Sequence, residues 1–256
     1  MRSSISTPDE LRSSARRAAG RAWRIVEAQH RVSTAKLTDS AGEQKILEDL
    51  IEKTKPSLPE ECRHLHFLLA TPFRYGAMRP HGSRFRRPGR SPGVLYAAEN
   101  VDTAIAEMCF WRLLFFSESP STQWPDNAGE FTAFSFDYSS ERAIDLTLAP
   151  LADKRTELWM HLTPYDECQE LAELARDAGI DLIKYASVRD PQHKLNFAML
   201  RCRVFARSEP AEHQTWRILL NSNGARALRE MPPGSVDFDR NAFLPDPRIQ
   251  AMQWER

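Results

Sequence analysis

Glu107 is a rare charge in a long apolar stretch. From Val101 to Phe116 the chain reads VDTAIAEMCFWRLLFF, with charge only at Asp102, Glu107 and Arg112. At about 3.6 residues per helical turn, Glu107 falls on the side of Ala104, Trp111 and Leu114. A carboxylate on an apolar side is costly to desolvate unless something pairs with it or binds to it. It can serve a structural salt bridge, with Arg112 or another nearby arginine, or it can serve chemistry. A second group is the run Arg79, His81, Arg84, Arg86, Arg87 and Arg90, set in a Pro/Gly loop that follows Met78. Guanidinium forks match phosphate oxygens in pairs, so this loop could grip the phosphates of a nucleotide or of RNA, or it could be an ordinary solvated loop. Ser187 is the third feature, at the end of the apolar run DLIKYA where the turn SVRDP begins. No histidine stands in a motif with it, His193 being merely near in sequence, so a nucleophilic serine is disfavoured.

These groups need elements to hold them. Gly93 to Ala98, GVLYAA, suits a buried strand behind a Pro/Gly turn, and Asn100 with Asp102 can start the helix that carries Glu107 to Phe116. EFTAFSFDY at Glu130–Tyr138 alternates like a strand, and Ala143–Leu148 is a second strand candidate. Helices are expected at about 151–161 and 165–178, with Gly179 ending the latter. Strands follow at Asp181–Ala186 and Leu195–Phe205, and a hairpin joins Trp216–Leu220 to Ala225–Arg229. From Met231 the proline- and asparagine-rich tail is expected to lie along the surface. At the other end, Thr7-Pro8-Asp9-Glu10 is a strong helix start, and the helix is expected to run to about Glu27. Ser40 with Glu43 opens another, carrying Ile46, Leu47, Leu50 and Ile51, and a third short helix is expected from Pro59 to the Thr71-Pro72 boundary. Residues 1–70 therefore read as an N-terminal helical extension, docked and taking no part in the chemistry.

Composition narrows the function classes. A chain of 256 residues can bury a full core, and Lys plus Arg equals Asp plus Glu at 35 each, so a globally cationic surface for nucleic acid is absent. Cys62, Cys109, Cys168 and Cys202 lack the paired spacing of zinc ligands, and His64 and His66 sit two apart, which points them to different faces of a helix. No metal is expected, and reduced thiols in a cytoplasm are. The N-terminus lacks the apolar core of a signal peptide, and no run approaches the roughly 18 apolar residues of a membrane helix.

The joint order of the basic segment at Arg84, the VLYAA strand with Tyr96, the AIAE helix with Glu107, and KYASVRDP with Ser187 followed by LNFAML resembles the RES-domain family, the toxins of RES/Xre toxin and antitoxin pairs. The likeness covers about residues 71–208, and the segment from RIVEAQHRVSTAKL through HLHFLLATPFRY is similar to the extension of a longer subgroup. It implies an α+β fold, an ADP-ribosyltransferase-like mixed or antiparallel sheet core with helices. The hairpin and tail at 209–256 would pack on that catalytic domain. It also implies a cytoplasmic enzyme that consumes NAD, by glycohydrolysis, phosphorolysis or transfer of ADP-ribose to a protein target. An Xre-like antitoxin with a DNA-binding domain would be its partner, with no direct nucleic acid or membrane partner; self-association is left open. The family's named arginine is Arg74 or Arg84, its glutamate Glu107 and its serine Ser187. In that frame Glu107 stabilises an oxocarbenium-like state, Arg74 or Arg84 clamps the pyrophosphate, Tyr96 stacks on nicotinamide, and Ser187 donates to the ribose or the amide. The rival is a nucleic-acid-directed or non-catalytic interaction protein using residues 79–90. Against it, nucleic-acid grooves intersperse aromatics with the cations, and this loop offers only Phe85.

Overall fold

The computed structural model describes residues 7–28, 32–75 and 81–256. In chain order the elements are α1 (Pro8–Ser14), β1 (Arg16–Glu27), α2 (Val32–Ala35), α3 (Ala41–Thr54), α4 (Phe67–Arg74), β2 (Leu95–Ala98), α5 (Val101–Glu118), β3 (Gly129–Asp145), α6 (Leu151–Trp159), α7 (Asp166–Asp177), β4 (Leu182–Ala186), β5 (Leu195–Met199), β6 (Glu212–Asn221), β7 (Gly224–Arg229), β8 (Gly234–Asp239) and α8 (Pro247–Gln250). Short 3-10 turns lie at Glu60–Cys62, Cys202–Val204 and Arg240–Ala242. Among the described residues no helix is long and apolar enough to cross a membrane.

The strands form one mixed sheet in the order β1-β2-β5-β4-β3-β6-β7-β8, and β1 pairs again with β3. Thus β1, β2, β5, β4 and β3 make a closed, barrel-like circuit. Closure depends on the length of β3. One edge of it pairs with β1 from Arg16↔Ala143 to Glu27↔Phe131; the other pairs with β6 over its first half and, in parallel, with β4 at Ala143–Asp145. Phe134, Phe136, Leu95, Phe197 and Met199 pack in one apolar cluster of this circuit, while α5 buries Ile105, Cys109, Phe110 and Leu113 in another beside β6 and β7. Gly93 permits α4 to approach β2, since a Cβ there would sit 2.3 Å from the Pro72 carbonyl oxygen.

Several expectations need correction. The capping box holds: Glu10 N donates to Thr7 Oγ1 at 3.2 Å and Thr7 N to Glu10 Oε2 at 2.9 Å. But that helix ends at Ser14, and RRAAGRAWRIVE is a strand. Its small and arginine side chains suit either period, so the long ladder along β3 decides. The extension is therefore only partly helical, and β1 belongs to the sheet rather than lying on it. Within it, α3 forms as expected, capped by Ser40, but buries none of its residues, with Ile46 62% and Leu50 54% exposed. The third helix begins later, at Phe67 after a 3-10 turn, and continues through Pro72. The strand from Leu195 stops at Met199, and Ala143–Asp145 continues β3 rather than starting a new strand. The tail is no surface strap: β8 pairs with β7, and Phe243, Ile249, Met252 and Trp254 join the core around α5. Four reduced thiols were the expectation; instead Cys62 and Cys202, far apart in sequence, are joined as a disulfide with Cα atoms 5.5 Å apart, and Cys109 and Cys168 are free and buried.

Candidate active site

Asn100 starts α5, its Oδ1 accepting from Thr103 N at 3.0 Å, and this fixes where Glu107 emerges two turns later. Opposite it, β5 lies between β2 and β4, so that Asn196 is level with Ala98 on one side and Tyr185 on the other. Glu107 Oε1 accepts from Ser187 Oγ at 2.8 Å and from Asn196 Nδ2 at 2.7 Å. Ser187 is wholly buried, and its oxygen accepts from the backbone N–H groups of Arg189 at 3.2 Å and Asp190 at 3.0 Å. Its hydroxyl proton is thereby committed to Glu107. The turn is pinned from behind, because Thr103 Oγ1 donates to Asp190 Oδ2 at 2.6 Å. His193, at φ 50°, places Nδ1 2.8 Å from the Ser187 carbonyl oxygen, which is a structural contact and not a base for the hydroxyl.

The carboxylate's second oxygen faces a cation. Arg189 Nη1 lies 3.9 Å from Glu107 Oε2. Burial works against the Arg189 charge, yet Glu107, Tyr165 and Tyr185 outweigh it and hold the guanidinium above its ordinary range. Burial also pushes the Tyr185 phenol well up, and Glu107 adds to that, so this tyrosine stays protonated.

Glu107, Asn196, Arg189 and Tyr185 line a cavity of about 610 Å³, within the roughly 300–1,000 Å³ of small-molecule sites. Tyr96 and Arg84 line it too. The Tyr96 hydroxyl shares a hydrogen bond with Ser83 Oγ at 2.8 Å and accepts from Phe85 N at 2.9 Å, so it ties the basic turn to β2 and leaves its ring to the cavity. Burial raises its phenol, partly offset by the hydrogen bond to Ser83. Arg84 is 4% exposed; its guanidinium donates to the carbonyls of Trp159 at 2.7 Å and His161 at 2.8 Å and lies over the Tyr165 ring. Arg74 is elsewhere. It does not line the cavity and pairs at 2.6 Å with Glu52 of α3. The rest of the basic loop turns inward or pairs: Arg86 is buried and donates to the His81 carbonyl, while Arg87 and Arg90 flank Glu173 at 3.1 and 3.8 Å. Met78 and Arg79 lie outside the described residues. Only Glu61, Cys62 and Cys202 bring metal-ligating atoms together among the described residues, and the two cysteines there are the disulfide.

Glu107, Tyr96 and Arg84 therefore line one cavity, while Ser187 lies behind Glu107, wholly buried and outside the lining; its hydroxyl is spent on Glu107 and not on a ribose or an amide. Sequence reasoning missed Asn196, Arg189, Tyr165 and Tyr185, although Asn196 and Arg189 sit inside the motifs LNFAML and SVRDP. It also missed Trp23, Arg24 and Ile25 of β1, which form a wall of the cavity, with Arg24 donating to the Tyr96 carbonyl at 2.9 Å. Nothing in the sequence near residue 23 signalled this.

A family model described as RES domain matches residues 58–221. Among solved structures, the crystal structure of the M. tuberculosis MbcT-MbcA toxin-antitoxin complex is similar to this chain at 10% identity and a TM-score of 0.47, covering 80% of this chain and 89% of that one. No curated protein matches the sequence.

Proposed function

The chain belongs to the RES-domain family, and from that premise we propose that it is the toxin of a RES/Xre toxin and antitoxin pair and consumes NAD by cleaving the bond between nicotinamide and ribose. The observation that carries this reading is Glu107, a carboxylate held by Ser187 and Asn196 on one oxygen and opposed by Arg189 on the other, inside an aromatic-walled cavity. When the glycosidic bond breaks, its electron pair leaves with nicotinamide and positive charge builds at the anomeric carbon. A fixed carboxylate stabilises that charge without having to reorganise. Ser187 and Asn196 keep it fixed. Tyr96 offers a ring face for a flat base, and Arg84 and Arg189 make the walls attractive to the pyrophosphate. An acceptor, which is water, phosphate or a protein side chain, then bonds to the anomeric carbon through a lone pair on its attacking atom; water or a protonated side chain passes its proton to solvent, and a phosphate oxygen that carries none has none to pass.

The fold we propose for this unit is ADP-ribosyltransferase-like. Binding of nucleic acid through residues 79–90 gains nothing from the geometry, because among the described arginines there Arg84 and Arg86 are buried and Arg87 and Arg90 flank Glu173. The test is incubation of the purified protein with NAD, with and without phosphate and cell lysate, and mass spectrometry of the products. Free nicotinamide is expected in at least one arm, and the partner product, ADP-ribose, its phosphate or a protein adduct, identifies the acceptor. No nicotinamide release in any arm overturns the proposal.

A further inference from the structure

Arg189 is held in an unusual way. Its guanidinium lies 4.5 Å from the ring centre of Phe110 and 5.3 Å from that of Trp111, and it faces Glu107. Among the described residues its Nε has no hydrogen-bond partner, although it is buried. The rotation of the fork is thus set by one strong bond, from Nη2 to the Tyr165 hydroxyl at 2.5 Å. That hydroxyl donates in turn to the Leu162 carbonyl at 3.1 Å.

A second guanidinium converges on Phe110 and on the Tyr165 hydroxyl. Arg248 of α8 lies 5.6 Å over Phe110, and the Tyr165 hydroxyl is one of the groups that hold its charge. Two cations around one phenol repel unless a carboxylate neutralises one of them. Asp246 does so. It is buried, takes Arg248 Nε at 2.9 Å and Nη2 at 2.7 Å as a fork, and also caps α8 through Arg248 N at 3.0 Å. Burial opposes the Asp246 charge, but these hydrogen bonds hold its carboxyl below the ordinary range, with Arg189 contributing. Asp246 and Arg248 lie beyond the matched residues 58–221.

We propose that Tyr165, Asp246 and Arg248 are positioning residues for Arg189, so that the C-terminal segment holds the cation that orients Glu107. The proposal rests on the NAD reading for its consequence but not for its geometry. Two variants test it, each with two readouts. Tyr165→Phe removes the hydroxyl and keeps the ring; Asp246→Asn combined with Arg248→Ala removes the buried charge pair together, leaving no orphaned carboxylate. Crystal structures read the contact between Arg189 and Glu107, and steady-state kinetics on NAD read its use. In both variants the contact is expected to open, with kcat down about tenfold to a hundredfold and KM within about threefold, as displacement of a group used in the transition state requires. An unmoved Arg189, or a displaced Arg189 with unchanged kcat, overturns the proposal, as does a rise in KM alone. A wild-type protein that releases no nicotinamide sinks the NAD reading instead, and the crystal structures still judge the positioning.

Discussion

Glu107 is where local chemistry and sequence pattern meet. Its amide variant keeps the shape and can still accept from Ser187 and Asn196 through Oε1, but it has no charge to offer a forming oxocarbenium ion. Glu107→Gln should therefore fold normally and lose about a hundredfold or more in NAD turnover while NAD binding stays within a few-fold. Near-wild-type turnover in a folded variant removes the carboxylate from the mechanism. The two arginines proposed as clamps separate in the same way. Arg74→Ala breaks an ion pair with α3 outside the cavity and should leave NAD binding unchanged. Arg84→Ala should weaken NAD binding and, by releasing the Trp159 and His161 carbonyls, cost about 2 kcal/mol of stability. Calorimetric binding and melting curves decide it, and equal effects of both changes would contradict the assignment. Glu107 stood out because a charge among apolar residues is anomalous in any fold, though by itself it suited a salt bridge as well as chemistry. Ser187 was visible as the end of a strand, and only the family resemblance gave it a role. Asn196 and Arg189 were not, since an amide in a strand and a cation in a turn are ordinary until β5 folds back beside β2 and the turn after β4 faces α5.

At the scale of elements, the short capped or turn-bounded pieces were legible and the long pairings were not. α5, α7, β4 and the β6–β7 hairpin carry their own start and stop signals, such as Asn100 before α5 and Gly179, at φ 74°, after α7. β1 carries none. The helix start before it is genuine, and pairing along the distant edge of β3, with Trp23 opposite Ala98 of β2, makes Arg16–Glu27 extend. The same pairing gives a prediction that goes beyond that of a docked extension taking no part in the chemistry, because β1 also walls the cavity. A protein starting near Pro59 loses the whole β1 ladder, exposes that edge of β3 and removes Trp23, Arg24 and Ile25 from the cavity wall. It should be insoluble or unfolded, as solubility and circular dichroism will show. Conversely, Ile46→Ser with Leu50→Ser, on the exposed face of α3, should change stability by no more than about 1 kcal/mol, summing roughly 0.5 for each surface site. A soluble, active protein lacking β1 would mean that the circuit closes without it.

The whole molecule places a cleft, faced by a single carboxylate among the described residues, between a closed circuit of strands and the helix that carries Glu107. The C-terminal segment packs against that helix, Phe243 meeting Phe110. Its opening is partly apolar, since Trp111 lines the cavity and is still 47% exposed, so a partner seated there would gain hydrophobic contact while excluding substrate. This gives the proposed toxin a sharp test in cells. Expression of the wild-type protein should arrest growth with a fall in cellular NAD, and Glu107→Gln should do neither. Co-expression of a neighbouring antitoxin with an Xre-like DNA-binding domain should restore both growth and NAD. Because Glu107→Gln keeps the surface intact, it should still bind that antitoxin and can be purified without harm to the host. The wild-type complex should then turn over NAD far more slowly than the free protein. A complex that forms but cleaves NAD at the free rate argues against occlusion, and growth arrest that persists in Glu107→Gln separates toxicity from NAD cleavage altogether.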